Sequence, residues 1–184
     1  MSLTSDIKRL YAAYTYTFNE ADAKAAYDEW GANCGPCALA FALQTTLDAV
    51  RPAIPEFHSR LYTSPTMMDA ALQNLGAQVV KLSAPKDRGA SCMFDPTIAL
   101  VRVQWTGPWT ANGKTQKWAA RQTHWIATWL ADDHYVFDVN GGIQRFENWD
   151  REIVPAITAT IPRADGGWWP ANVWRIAELE RTAE

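Results

Sequence analysis

Up to about Gly76 the apolar positions recur at helical intervals. Leu39, Leu43, Leu47 and Val50 follow at steps of four, four and three, which predicts one helical stripe from Cys34 to Val50. Asn19 before Glu20, Ala21 and Asp22 reads as a capped helix start. Ser64-Pro65 opens another helix, with Pro65 in its first turn, Met68, Leu72 and Leu75 on one face and Gly76 as its stop. After Gly76 the period falls toward two. Ala77 to Leu82, Thr97 to Trp105, Trp125 to Leu130 and Tyr135 to Val139 are short, β-branched-rich runs that predict strands. Ala131, Asp132, Asp133 and His134 join the last two as a hairpin, and Gly141-Gly142 precedes a further run through Phe146. Helices followed by an antiparallel sheet make an α+β chain. The tail stays open: Asp150 could cap a short helix, and Val173, Arg175 and Ala177 alternate with Trp174, Ile176 and Glu178 as a last strand would.

With 184 residues and no linker or repeat, the chain is expected to be one domain over 1–184, helical to about residue 76 and mainly β from 77 on. Such a domain buries roughly two-thirds of its unfolded surface and holds a core without disulfide or metal staples. Hydrophobic residues at 48% and charged ones at 20% exclude a disordered chain. A net charge of −3 with scattered Lys and Arg excludes an electrostatic footprint for nucleic acid. No apolar run reaches a membrane span and no signal sequence is evident, so a cytoplasmic protein without membrane contact is expected. Three cysteines, an odd number, fit a reducing compartment better than a disulfide framework. His134 with Asp132 and Asp133 reads as a solvated hairpin tip, and neither metal nor cofactor is expected. The oligomeric state is left open.

Chemistry concentrates at Asn33-Cys34-Gly35-Pro36-Cys37, the start of a helix. A cysteine there feels the positive helix end, which favours thiolate. Three readings compete: two small buried hydrophobes, a redox dithiol, and a nucleophile. Cys-Gly-Pro-Cys is the thioredoxin tetrapeptide, but the preceding Ala25 to Gly31 is helical and polar where that fold needs a buried strand. A nucleophilic cysteine needs a histidine base and a group to orient it. His124 heads the run His124 to Leu130, and Asp138 lies in the returning strand. A hairpin centred near Ala131 or Asp132 sets 124 and 138 on one face, opposite or nearly so. The carboxylate can then fix the imidazole tautomer. Asn140 shares that face and rivals Asp138 for the third place.

These elements resemble the papain-like cysteine peptidases, in particular the branch that removes double-glycine leaders from bacteriocins. The likeness lies in Asn33-Cys34-Gly35-Pro36 followed by Cys37 to Ala40, the helix and strand of Ser64 to Leu82, His124-Trp125-Ile126 and Val136-Phe137-Asp138, roughly residues 28 to 142. It implies a papain-like fold, with the Cys34 helix packed on an antiparallel sheet that carries His124 and Asp138. It also implies a peptide or protein substrate, with Cys34 as nucleophile, His124 as base, Asp138 as orienting residue and Cys37 as structural. One position departs. The family usually has a glutamine oxyanion donor about six residues before the nucleophile, where this chain has Asp28. Asn33 or Trp30 then remains to supply the donor beside the Cys34 N–H, or the fold is kept in a catalytically silent binding protein. Of the chain's ten tryptophans, Trp105, Trp109 and Trp118 lead to His124 and Trp125 follows it, and they are expected either to wall a substrate cleft or to pack the core or an interface.

Overall fold

The computed structural model describes residues 20–31, 33–60, 62–82, 86–113 and 121–177. Among the described residues five helices precede the sheet: α1 (Glu20–Trp30), α2 (Cys34–Leu43), α3 (Leu47–Val50), α4 (Phe57–Arg60) and α5 (Pro65–Asn74). Strands β1 (Val79–Leu82), β2 (Ala99–Trp105), β3 (Thr123–Leu130), β4 (His134–Asp138) and β5 (Gly142–Arg145) follow. A helical run then comprises α6 (Phe146–Asn148), a π-helical turn (Trp149–Ile153) and α7 (Val154–Ala159), before a final strand β6 (Trp168–Ile176).

The single helix expected from Cys34 to Val50 is instead two. Gln44 adopts left-handed φ 52° and ψ 45° and ends α2, and its N–H reaches the Phe41 carbonyl at 3.1 Å. Thr46 then caps α3 by accepting from the Ala49 N–H at 3.2 Å. The apolar stripe survives the break, because Leu47 and Val50 still enter the core that holds Leu39 and Leu43. At α5 the local signals hold: Ser64 accepts from the Met67 N–H, Pro65 opens the helix, and Gly76 takes φ 69° beyond its end.

The sheet is antiparallel throughout, in the order β1-β6-β2-β3-β4-β5. The open tail therefore supplies an interior strand, between β1 and β2. Pro170 is tolerated in β6 because pairing with β1 extends only to Val173. Opposite Arg102 and Val103 the β2–β6 register shifts, so β6 passes Ala171 without a partner.

Helices α2 to α5 pack on one sheet face with Leu100, Trp125, Ala127, Phe137 and Trp174. The other face carries Val101, Val103, Ile126, Val136 and Val173, closed by Met93, Phe94, Trp149 and Val154. With both faces covered, all residues of β3 from His124 to Trp129 are buried. Among the described residues no helix is long and apolar enough to cross a membrane.

Candidate active site

Helix α2 begins at Cys34, and its next nine residues, Gly35 to Leu43, are all buried. Burial fixes the helix, and the helix fixes the thiol. Gly35 is required at its second position, since a Cβ there would lie 2.3 Å from Thr63 Oγ1. Asn33 ties the entrance to α1, its side-chain amide donating to the Ala23 carbonyl at 2.7 Å.

The β3–β4 register pairs Ala127 with Phe137. Asp138 thus faces Ile126, two residues along from His124 and on the same face. His124 Nε2 lies 3.0 Å from Asp138 Oδ1, with the histidine 7% and the aspartate 0% exposed. The Cys34 thiol and the same imidazole act on each other's ionisation, His124 lowering the thiol's pKa and Cys34 raising the histidine's. With Nε2 on Asp138, Nδ1 is the nitrogen left for the thiol. The structure therefore brings Cys34, His124 and Asp138 into one interacting series, in which the imidazole meets the carboxylate on one side and acts on the thiol on the other.

Asp138 is saturated with donors. Oδ1 also accepts from the Asn140 backbone N–H at 2.8 Å and the Asn140 side-chain amide at 2.9 Å, while Oδ2 accepts from the Trp149 indole N–H at 2.8 Å. Burial raises its pKa, but the His124 charge and these hydrogen bonds outweigh that and hold the carboxyl below the usual carboxylate range. Burial likewise opposes the charged form of His124, yet Asp138 and Cys34 raise it well above an ordinary histidine. For Cys34 burial pushes upward, and the His124 charge and hydrogen bond, with a bond from the Trp125 backbone, bring the thiol down. Both directions favour a thiolate–imidazolium pair. Cys37 is the counter-example one turn along: burial and the neighbouring Cys34 charge push its thiol up.

Other site expectations meet different outcomes. Asn140, the rival third residue, is exposed and donates to Asp138 while the imidazole meets the aspartate. Asp28 is turned to solvent and paired with Lys24 at 2.8 Å, a consequence of its place on the outer face of α1. Asn33, an oxyanion candidate, has its amide engaged by Ala23. The Trp30 side chain and Trp118 lie outside the described residues.

Trp105, Trp109 and Trp125 are a correction to the cleft-wall expectation, because each is only 2% exposed. Trp125 donates to the Thr63 carbonyl and packs on Trp174, Trp109 donates to the Trp105 carbonyl, and Trp105 lies over the His124 ring at 5.9 Å between centroids. A two-faced sheet claims them for its cores. A groove of about 500 Å³ lies between Lys24 and Tyr27 of α1 and the turn Asn140–Gly142, lined by Asn33 and Val139, the chain neighbours of Cys34 and Asp138, and not by Cys34, His124 or Asp138 themselves.

Sequence reasoning missed Trp149. Its role depends on a fold contact eleven residues from Asp138, and nothing local in Phe146 to Asp150 marks it. Among the described residues no group of three or more His, Cys, Asp or Glu is placed to hold a metal ion. In the comparisons with known proteins, no family model matches the chain and no curated protein aligns with it.

Proposed function

We propose that the protein is a papain-like cysteine peptidase or closely related thiol hydrolase, acting on a peptide or isopeptide bond. The observation that carries this reading is the series Cys34–His124–Asp138, built on a helix N-terminus and a buried carboxylate. The Cys34 thiolate attacks the substrate carbonyl carbon, and the carbonyl electron pair moves onto oxygen. The Cys34 backbone N–H, at the first turn of α2 where amides have no intrahelical acceptor, supplies one donor to that oxyanion. As the C–N bond breaks, imidazolium His124 gives its proton to the departing amine and a thioester remains. Neutral His124 then takes a proton from water, whose oxygen attacks the thioester, and Cys34 leaves as thiolate with a carboxylic acid product. Asp138 holds the ring orientation and stabilises the imidazolium throughout. The groove beside Asn33 and Asn140 offers room for an extended substrate.

Cysteine-resolved labelling with iodoacetamide near neutral pH tests the reading. Cys34 is expected to react much faster than Cys37 and Cys92, and His124→Ala to abolish the advantage. Equal, slow labelling of all three thiols in the folded protein would overturn the hydrolase and leave a binding protein on the same framework.

A further inference from the structure

We infer that Trp149 is a positioning residue for the site: its indole N–H, delivered by the π-helical turn, fixes the Asp138 carboxylate in the plane that orients His124. This rests on the reading of Cys34, His124 and Asp138 as a catalytic series, and it adds a fourth member from an element other than α2, β3 and β4.

Three observations converge on it. The Nε1–Oδ2 distance is 2.8 Å, and both residues are 0% exposed, so no water competes for the bond. Oδ1 is already crowded by His124 and Asn140, which leaves Oδ2 as the oxygen that sets carboxylate rotation. A donor held on Oδ2 prevents the group from turning the crowded oxygen away from the imidazole. Finally, Trp149 opens a five-residue π-helical turn, Trp149–Ile153, between α6 and α7. Such turns are rare and frequently occur at functional sites, because the extra residue re-aims a side chain.

The indole is itself braced. The Trp168 ring stands edge-on to it at 5.0 Å and 82°, and Trp168 Nε1 donates to Asp150 Oδ1 at 2.7 Å. Asp150 is thereby directed to Trp168, and among the described residues the titratable groups acting on Asp138 are His124 from β3 and Cys34 from α2, while Arg102 of β2 adds a positive charge that acts on Cys34. Asn140 on the β4–β5 turn and Trp149 contribute neutral donors.

The prediction concerns the acid limb of Cys34 reactivity. A donor to the ionised carboxylate keeps Asp138 charged to lower pH, and its removal lets the proton return sooner. In Trp149→Phe the acid midpoint of rapid iodoacetamide labelling at Cys34 is expected to rise by about one pH unit, the size of one charge-assisted hydrogen bond. In an Asp138→Asn background the same substitution should leave the midpoint where Asp138→Asn put it. Trp129→Phe, which thins the core on the opposite face of the sheet where Trp129 packs on Phe41 and Tyr135, should lower Tm with the midpoint unchanged. In the unmodified protein the Trp149 indole N–H resonance, assigned by through-space contacts, should shift on the acid side as Asp138 takes up its proton. That measurement decides the matter if Trp149→Phe does not fold. An unshifted midpoint in folded Trp149→Phe, an equal shift in the Asp138→Asn background, or an indole resonance indifferent to pH would overturn the inference. Failure of the hydrolase reading looks different: wild-type Cys34 then labels slowly, while the indole titration still reports on Asp138.

Discussion

At the scale of single residues the site is a problem in placing charge where water cannot help. Asp138 has no exposed surface, and a buried carboxylate is costly unless its oxygens are hydrogen-bonded and a cation lies near. Here both conditions are met, and the cation is His124, whose charge in turn draws the proton from Cys34. Replacing Asp138 by asparagine keeps the shape and removes the charge. The imidazolium then loses its partner and the histidine pKa falls toward the ordinary value. Cys34 labelling by iodoacetamide at pH 6 is expected to drop by about 10- to 100-fold in Asp138→Asn, the worth of a hydrogen bond to a charged group. Labelling unaffected by Asp138→Asn would show that the helix end alone sustains the thiolate. Cys37 sharpens the contrast, since it shares the helix but not the histidine, and its thiol is pushed up.

At the scale of elements, the geometry depends on how closely α2 can approach its neighbours. Its second residue touches Thr63, so Gly35→Ala puts a methyl group into occupied space. The cost is expected at about 1–3 kcal/mol of overpacking, read as a lower Tm, with slower Cys34 labelling as α2 is displaced. The other end of α2 offers the opposite test. Gln44 holds a left-handed φ of 52° that glycine adopts without penalty, so Gln44→Gly should stabilise by about 0.5–1 kcal/mol in denaturant melts. A destabilised variant would mean that the Gln44 side chain itself holds the α2–α3 corner. The same elements show what the sequence discloses. Caps, proline and glycine mark α5, and alternating or β-branched runs mark β1 to β5, because those signals are local. The break at Gln44 carries no such mark, since a left-handed glutamine is chosen by packing on either side. Strand β6 is obscured by Pro170 and three nearby tryptophans, Trp168, Trp169 and Trp174, and its interior place arises from pairing with residues distant in sequence. Cys34, His124 and Asp138 were legible because motif, strand parity and scarcity of histidine pointed the same way. Trp149 was not, because only the folded chain brings it to Asp138.

For the whole molecule, the decisive feature is a sheet buried on both faces by short segments. A thin covering layer must fill much volume with few residues, and tryptophan does this best. Trp125, Trp129 and Trp174 serve the helical side, while Trp105, Trp109 and Trp149 serve the other. The site sits where the two layers meet: Cys34 comes from the helical layer, whereas His124 and Asp138 project with the second core. Ionisation of the site is therefore coupled to the docking of the layers, and global stability should record it. Asp138 has a folded pKa below its unfolded one, so its contribution is present above the ordinary carboxylate value and is lost as pH falls through the depressed folded value. His124 has a raised folded pKa, so its contribution is complete below the ordinary histidine value and is lost as pH rises through the raised one. Between these limits the pair contributes to the stability of the fold. Tm measured across pH should fall on the acid side in the wild type, and this acid slope should be reduced in Asp138→Asn. The alkaline slope should be reduced in His124→Gln, which keeps a polar side chain and removes the titration. If both variants kept the wild-type slopes at each limb, the ion pair would be electrostatically isolated from folding, and layer docking would rest on the tryptophan cores alone.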